Sequence, residues 1–517
     1  MTMYLCYDLK GIQPYIFQIP KLTCCIGGSR QVDSFDRMEV PEMKVPGAKL
    51  IYAGGGKGSF ECENNEAMDL LKEKLIKAAR AKGLTIRFGF DADYTKAAGE
   101  INETYCYQPD SLEGHPCALS GQYPTTEPDG IHPLIRQREE LGRQKGMESA
   151  TEKGFLGELR KLFNNDRLSF FYNVNALESR DGEEGALALG NRNRWAAVCM
   201  DGNEMGMQYL AFKKLHGADN AAWSDWLPKL SKSLDECTRS AALEGMKAVT
   251  EQYLADFREK GERCDTLPLR PLIVGGDDVT VLVSCKYAIL FVKTVMEAFR
   301  KASRACKDHK NLWVGTNGEL TISGGILFAP VSLPLHSVLS YAEQLLASAK
   351  THGRTLKNGA KDEASPACLD WESVTEGLLD SPAERRQREF QFTDFETGNQ
   401  IKLTARPYAL NDEFKELEKV RDEIAKVPKN ILYQFHPALR EQKAKRLAFY
   451  ARIGKNYPSI QQKMAEKLDD VISEYGEWWK VKDKVQKTRL IDAVLLMQED
   501  SRMEKETVYG SDENEDI

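Results

Sequence analysis

The sequence predicts an α+β protein with two ferredoxin-like palm domains, a small domain between them and an α-helical domain after them. Three observations lead there. Residues 195–350 read strand, two helices, a strand hairpin, helix, strand and helix. Residues 3–90 read as a shorter version of the same order. Both hairpins turn on glycines, Gly54-Gly55-Gly56 in the first and Gly275-Gly276-Asp277-Asp278 in the second. Hairpins with crossover helices in this order build a sheet covered by helices on one face.

Each element has its own reason. Residues 3–8 are an apolar strand, and 11–19 read as a helix. Residues 49–53 and 59–63 are β-like runs flanking glycines, which is a hairpin signal. Residues 66–82 place apolar side chains near i, i+3 and i+4, and 84–90 read as a strand. Residues 105–130 are rich in Pro, Gly and polar residues, 136–163 are mostly helical, and 178–190 form a polar loop. The order then returns: strand 195–200 ending in Asp201, helix 205–215, long helix 224–260, strands 271–274 and 279–283, helix 288–305, strand 320–329 and helix 335–350. Asp8 pairs with Asp201 and Gly54-Gly55-Gly56 with Gly275-Gly276-Asp277, so the chain reads as an internal duplication. The spacing of about 200 residues is too long for a solenoid repeat. The expected domains are 1–104, a first palm without catalytic acids; 105–190, an intervening small domain; 191–404, the second palm; 405–490, a basic helical domain; and 491–517, an acidic tail expected to be disordered.

Composition excludes several classes. The chain has 517 residues, 42% hydrophobic and 29% charged, with 20 prolines and 39 glycines, which is ordinary globular usage. Mean hydropathy is −0.48 and no apolar run approaches membrane-helix length, so no membrane association is expected. Residues 1–11 carry no secretory-signal pattern. Twelve cysteines without any CxxC pair do not make a disulfide framework, which fits a reducing cytoplasm. A net charge of −7 argues against an indiscriminate nucleic-acid coat. Residues 406–490 nevertheless hold 19 Lys and Arg against 13 Asp and Glu. Arg440, Lys443, Lys445, Arg446 and Arg452 lie there on one expected helix, either facing RNA or an acidic partner, or simply solvated.

The strongest chemical signal is the set Asp201, Asp277 and Asp278. Asp201 ends one strand, and the other two sit at the turn of a hairpin that lies beside it. Clustered carboxylates need a cation, and hard oxygen ligands suit Mg²⁺ or Mn²⁺ together with phosphates. A plain Gly-Asp turn is the competing reading, and the matched acid at Asp201 outweighs it. Gly275 and Gly276 offer backbone without Cβ, against which a base or ribose can lie. The turn Asp201-Gly202-Asn203-Glu204-Met205-Gly206 leads from strand into helix and suits a triphosphate, which makes Asn203 and Gly206 nucleotide-binding candidates. Lys350, expected to close a helix, is a candidate phosphate partner, with a helix-dipole role as the alternative. Lys357 is read as a helix-end lysine. Cys106, His115, Cys117 and His132 are zinc-type ligands without zinc-knuckle spacing, and zinc is not expected.

With Gly275-Gly276-Asp277-Asp278 in view, the chain resembles the large polymerase/cyclase subunit of type III CRISPR effector complexes. The resemblance rests on an ordered set: Asp8 to Phe17, Gly27-Gly28-Ser29-Arg30, Tyr52 to Lys57, Ala196 to Gly206, the Gly-Gly-Asp-Asp hairpin, Leu320 to Phe328, Tyr341 to Lys350 and Arg406-Pro407-Tyr408. It covers residues 1 to about 490 in motifs. It implies two facing palms holding two ATP molecules, with the second palm joining ATP into cyclic oligoadenylates. Asp201, Asp277 and Asp278 are implied as the catalytic and metal-binding acids. Gly54, Gly55 and Gly56 are implied to bind nucleotide without chemistry. The implied partners are ATP, crRNA-containing type III subunits and an activating target RNA. Many members begin with an HD nuclease domain; no His-Asp dipeptide occurs here, so that activity is not expected. Asn203 stands where a second acid is common. A stand-alone cyclic-nucleotide synthase and a non-catalytic scaffold subunit remain alternatives.

Overall fold

The computed structural model describes residues 2–107, 113–144, 146–172, 194–259, 265–357, 363–375, 377, 380–393, 398–410, 412–425, 427–441, 443–460, 466–469, 471–473, 479–482 and 485–501. The polar loop 178–190 and most of the acidic tail lie outside the described residues.

The first domain is built on β1 (Met3–Leu9), α1 (Ile12–Phe17), α2 (Leu22–Ser34), β2 (Ala48–Gly54), β3 (Lys57–Cys62), α3 (Asn65–Arg80) and β4 (Ile86–Asp91). A π-helical turn, Phe35–Glu39, continues α2. The short β5 (Glu103–Tyr105) adds an edge, and the strands run β2-β3-β1-β4-β5. All neighbours pair antiparallel, so the first four strands have ferredoxin-like order. β1 is buried on both faces, as its continuous apolar run requires. Leu5, Tyr7 and Leu9 pack with residues such as Ile26 of α2, Phe35 of the π-helical turn and Leu71 of α3, while Tyr4 and Cys6 join the core of the second domain. α3 starts where the Asn64 side chain accepts from Ala67 N at 2.9 Å, which satisfies one orphan donor of the first turn.

Two helices follow, α4 (Pro133–Arg143) and α5 (Ala150–Phe163). Ser149 and Glu152 form a reciprocal capping box at the start of α5. α2 and α4 cross in close contact: a Cβ on Gly27 would stand 1.8 Å from Arg138 O, and one on Gly142 would stand 1.8 Å from Thr23 O. Only glycine permits that approach.

The second domain repeats the topology. β6 (Arg194–Gly202), α6 (Met205–His216), α7 (Asn220–Glu259), β7 (Leu269–Gly275), β8 (Asp278–Val283), α8 (Ala288–Ala305), β9 (Ile322–Pro330) and α9 (Leu335–Leu356) follow in order. Its strands run β7-β8-β6-β9, then β10 (Cys368–Ser373) and β11 (Tyr408–Ala409). β6 is also buried on both faces. Trp195, Ala197 and Cys199 pack towards α9, and Ala196, Val198 and Met200 pack with the α7 and α8 residues. The duplication holds in register: Asp8 pairs with Lys57 across β1 and β3, and Asp201 pairs with Asp278 across β6 and β8.

The domains are tied together by packing and polar contacts. Asn220 accepts from Tyr94 N at 2.9 Å and donates to Ala92 O at 3.1 Å. Tyr94 stacks on Trp223 with ring centroids 6.0 Å apart. Ser29 Oγ donates to Leu272 O, and Arg30 pairs with Glu152 at 2.7 Å. The Gly27-Gly28-Ser29-Arg30 segment thus lies within a helix, where it positions neighbouring elements.

Three expectations need correction. The region 405–490 is not wholly helical. Helices Asp412–Ile424 and Lys443–Asn456 are present, but so are strands Trp479–Lys482 and Val485–Thr488, which share a sheet with Gln391–Thr393 and Gln400–Lys402. The alternating pattern Trp479-Lys480-Val481-Lys482 has the strand period of two. The tail does not begin at 491: Leu490–Ser501 is a helix with Leu490, Ile491, Ala493, Val494 and Leu496 buried, so only 502–517 remain for it, outside the described residues. Lys350 does not close its helix, because α9 runs six residues further, to Leu356, and carries Gly353 buried against Pro366.

Candidate active site at the seam of the two palms

The two glycine hairpins meet. Gly55 and Gly276 both have positive φ, 62° and 60°, which suits a tight β-turn in each hairpin. A Cβ on either would stand 3.9 Å from the other's Cα. Beside them lies a cavity of about 440 Å³, lined by Gly54, Gly55, Gly275, Gly276 and Asp278, with Ile12 and Gln13 of α1 facing them. A second cavity of about 320 Å³ is its counterpart in the duplication. Asp8, Tyr52 and Lys57 of the first palm line it opposite Tyr209 and Lys213 of α6. The larger cavity takes strand ends from both palms and the first helix from the first palm, whereas the smaller takes strand ends from the first palm and α6 from the second.

The structure brings Asp201, Asp277 and Asp278 together. Asp278 is in register with Asp201 on the adjacent strand, and Asp277 shares a side-chain hydrogen bond with Asp201. Burial pushes the Asp277 carboxyl well above the usual range, and the charges of Asp201 and Asp278 push it further. Burial, with the Asp201 charge, pushes Asp278 up to about 7, against the pull of Lys350 and of Lys57 from the first palm. Lys350 Nζ donates to Asp201 Oδ2 and, at 2.9 Å, to Gly202 O. Lys357, read from the sequence as a helix-end lysine, binds both carboxylate oxygens of Glu204 at 3.0 and 2.9 Å.

The remaining candidates divide. Asn203 is buried, and its Nδ2 donates to Thr321 Oγ1 at 2.8 Å. Gly56 is packed, since a Cβ there would meet Ile12 Cδ1 at 2.1 Å, and its N–H donates to Asp36 Oδ2 at 2.6 Å; it does not line the larger cavity. Gly206 lies in the first turn of α6 with open space where a Cβ would stand. The expected metal set Asp201, Asp277 and Asp278 is not assembled as a closed cation site. Among the described residues no group of three or more His, Cys, Asp or Glu is arranged to hold a metal ion, and Asp201 is engaged by Lys350. The first palm does keep one acid, Asp8, paired with Arg87 and set beside Lys57 where the second palm has Asp278. Of the zinc-type residues, Cys117 and His132 are buried and contact each other, with His132 N donating to Cys117 Sγ at 3.4 Å. Of the basic cluster, Arg440 donates to the carbonyls of Glu389 and Arg388 and Lys445 pairs with Glu441. The side chains of Lys443 and Arg446 lie outside the described residues.

Sequence reading missed Tyr52, Lys57 and Tyr209, and also Asp36, Arg37 and Asp235. Lys57 was within reach, because aligning Gly54-Gly55-Gly56-Lys57 on Gly275-Gly276-Asp277-Asp278 places it opposite Asp278. Tyr52 lies on β2 at the head of the same stretch; Asp36, Arg37, Tyr209 and Asp235 come from helical elements with no local motif.

Two duplicated ferredoxin-like palms thus meet at a seam that carries an acid-bearing hairpin. Residues 194–359 match the family model described as Cas10/Cmr2, second palm domain. Over this palm the chain is Cas10-like, and the resemblance to the large subunit of type III CRISPR complexes holds there. No curated protein matches it. Solved structures similar to it include Csm1 in T. onnurineus, at 11% identity over 97% of this chain and 69% of that one, with a TM-score of 0.47. They also include a Csm1-Csm4 cassette in complex with one ATP, at 12% identity over 97% and 70%, TM-score 0.45. A third is a Csm1-Csm4 cassette in complex with cA4, at 12% identity over 96% and 70%, TM-score 0.43. Among the described residues no helix is long and apolar enough to cross a membrane.

Proposed function

We propose that the chain is a metal-dependent nucleotidyltransferase that converts ATP into cyclic oligoadenylates, as the large subunit of a type III CRISPR antiviral effector switched on by target RNA. On this reading residues 1–104 form a nucleotide-binding palm without chemistry and 191–404 the catalytic palm. The observation that carries it is the register of Asp201 with Asp278, with Asp277 at the turn, beside a cavity closed by the other palm's glycine hairpin.

The acids suit Mg²⁺ or Mn²⁺ on the chemistry of the donor set. The carboxylates of Asp277 and Asp278 are held up by burial and by mutual charge, which is the electrostatic demand a cation meets. Two carboxylates completed by phosphate oxygens and water are an ordinary Mg²⁺ site. Asp277 and Asp278 would hold the ion, joined by Asp201 once Lys350 leaves it. When bound, such an ion activates a 3′-hydroxyl and stabilises the leaving pyrophosphate.

The chain's own residues supply the rest. Gly275 and Gly276 admit the nucleotide against bare backbone. Lys350, released from Asp201, is within reach of the triphosphate as a point charge. Lys57 of the first palm adds positive potential at the acids. The N-terminal turn of α6, with open space at Gly206, would offer backbone N–H groups to a phosphate. The test is incubation of the chain, alone and with guide-RNA subunits and target RNA, with ATP and Mg²⁺ or Mn²⁺, followed by mass spectrometry. Cyclic adenylates joined 3′–5′, raised by target RNA, are the expected products. Linear or no products under every condition would reject the reading.

A further inference from the structure

One short element touches both hairpins. The π-helical turn Phe35–Glu39 carries Asp36 and Arg37 side by side. Asp36 Oδ2 accepts from Gly56 N at 2.6 Å, which holds the first palm's hairpin. Arg37 forms a two-pronged pair with Asp235 of α7, Nη2 to Oδ1 at 2.8 Å and Nη1 to Oδ2 at 3.2 Å. Its Nε is fixed by Asp33 Oδ1 at 2.8 Å. Asp235 Oδ1 in turn accepts from Gly276 N at 3.4 Å, and Thr238, three residues on along α7, donates to Gly276 O at 2.6 Å. The pair stands against the hairpin that carries Asp277 and Asp278: a Cβ on Gly275 would be 3.6 Å from Asp235 Oδ1 and 3.7 Å from Arg37 Nη2.

The two grips are related by the duplication. Gly55 and Gly276 occupy the same place in their hairpins, and each hairpin has a backbone N–H at or next to that place bound by an aspartate from a helix of its own palm. Arg37 carries this arrangement from the first palm to the second. A planar guanidinium with both prongs engaged fixes direction as well as distance. π-turns are rare, are found mostly at functional sites and re-aim consecutive side chains. Here the re-aiming lets residues 36 and 37 reach different hairpins.

We propose that Arg37 is a positioning residue: acting through Asp235, it sets the Gly275–Asp278 turn relative to the first palm, so that the acids are placed only when the two palms are seated on each other. The proposal rests on the reading that Asp277 and Asp278 perform chemistry. Neither Arg37 nor Asp235 takes a chemical part.

The test uses Arg37→Met, Asp235→Asn, the double variant and the conservative Arg37→Lys in the full chain. Asp235→Asn keeps an oxygen for Gly276 N and removes the charge. Steady-state rates with ATP, melting temperature and hydrogen exchange at the Gly275–Asp278 amides are read together. Each single variant is expected to lower kcat by about tenfold or more, since small misplacements are costly, with KM little changed. The double variant should be no worse than the worse single, because both break one link. Arg37→Lys should recover part of kcat. Melting should fall in the singles, because the pair is about three-quarters buried and each single leaves a charge without its partner, and less in the double variant, which removes both charges. Exchange at the turn should be faster in the two singles and the double. Exchange equal to wild type overturns the proposal whatever the rates do, and so do single effects that multiply in the double variant. A wild-type chain that makes no product rejects the function proposed above, and the exchange measurement still decides this one.

Discussion

Gly55 and Gly276 face each other across the seam of the two palms, each close enough that a Cβ on one would stand 3.9 Å from the other's Cα. The chain duplicated a ferredoxin-like sheet and turned the copies so that equivalent turns meet. The copies are not chemically equal. The second palm places Asp278 beside Asp201, whereas the first places Lys57 beside Asp8. One half of the seam accumulates negative charge and the other compensates it, which suits nucleotides bound in both halves and chemistry in one.

Gly276→Ala tests the turn itself. Its φ of 60° lies in the left-handed region, where a Cβ costs about 1 kcal/mol. The expected outcome is a loss of about that size in denaturant unfolding. No loss would mean that the turn relaxes freely.

Gly275→Val tests the cavity. No positive φ constrains Gly275, and a Cβ there meets its nearest neighbours only at 3.6 and 3.7 Å, so folding should be little affected. The added methyls enter the larger cavity on the side of Arg37 and Asp235. Binding of a non-hydrolysable ATP analogue, measured by calorimetry, should weaken by about tenfold or more, equivalent to 1.4 kcal/mol. Unchanged affinity would place the nucleotide elsewhere.

Asp36 gives stability a pH dependence. Burial pushes its carboxyl up to about 7, against the hydrogen bond from Gly56 and the charge of Arg37; Asp33 and Asp235 add to the rise. The folded state therefore holds a proton that the unfolded chain releases near pH 4. Stability from this group is fully present below about pH 4 and is lost as pH rises towards 7. Asp36→Asn cannot lose that proton. Its melting temperature relative to wild type should climb from pH 4 to 7 and then level off. Parallel curves would show that Asp36 does not titrate in this range.

The C-terminal helix is part of the fold. Asp492, fully buried, accepts from Thr404 Oγ1, Ala405 N and Tyr408 OH, each at 2.7 Å, and pairs with Arg406 at 3.0 Å. Asp492→Ala leaves these donors and part of the Arg406 charge without a partner. A loss of about 3–5 kcal/mol is expected, read by chemical denaturation. A loss below about 1 kcal/mol would make residues 490–501 an appendage.

Much of the fold was legible because its signals are local. Glycine turns between β-like runs marked both hairpins, and the apolar run ending in Asp201 marked the central strand. Helix α2 was not read, since Cys24, Cys25, Ile26, Gly27, Gly28, Arg30 and Gln31 are all buried and no polar stripe reveals the period. Residues 479–488 fall within the expected helical domain, while the alternation Trp479-Lys480-Val481-Lys482 is that of a strand. At the site, Asp201, Asp277 and Asp278 carry a motif. Arg37 and Asp235 do not, because their meaning comes from two palms approaching each other, 198 residues apart in the chain. Asn203 sits in the motif turn, and its bond to Thr321, 118 residues on, is not legible from the motif.

The most direct test compares wild type with the Asp277→Ala, Asp278→Ala double variant, each incubated with ATP and Mg²⁺ or Mn²⁺, with activating RNA subunits present, and analysed by mass spectrometry. Removing the acids should relieve a crowded, buried group of charges, so the variant should melt no lower than wild type. Wild type should form cyclic oligoadenylates, and the variant should form them at least about 10²-fold more slowly, the loss expected when the groups that stabilise transition-state charge are deleted. A variant that turns over ATP at the wild-type rate with the same products would contradict the assignment of chemistry to this hairpin.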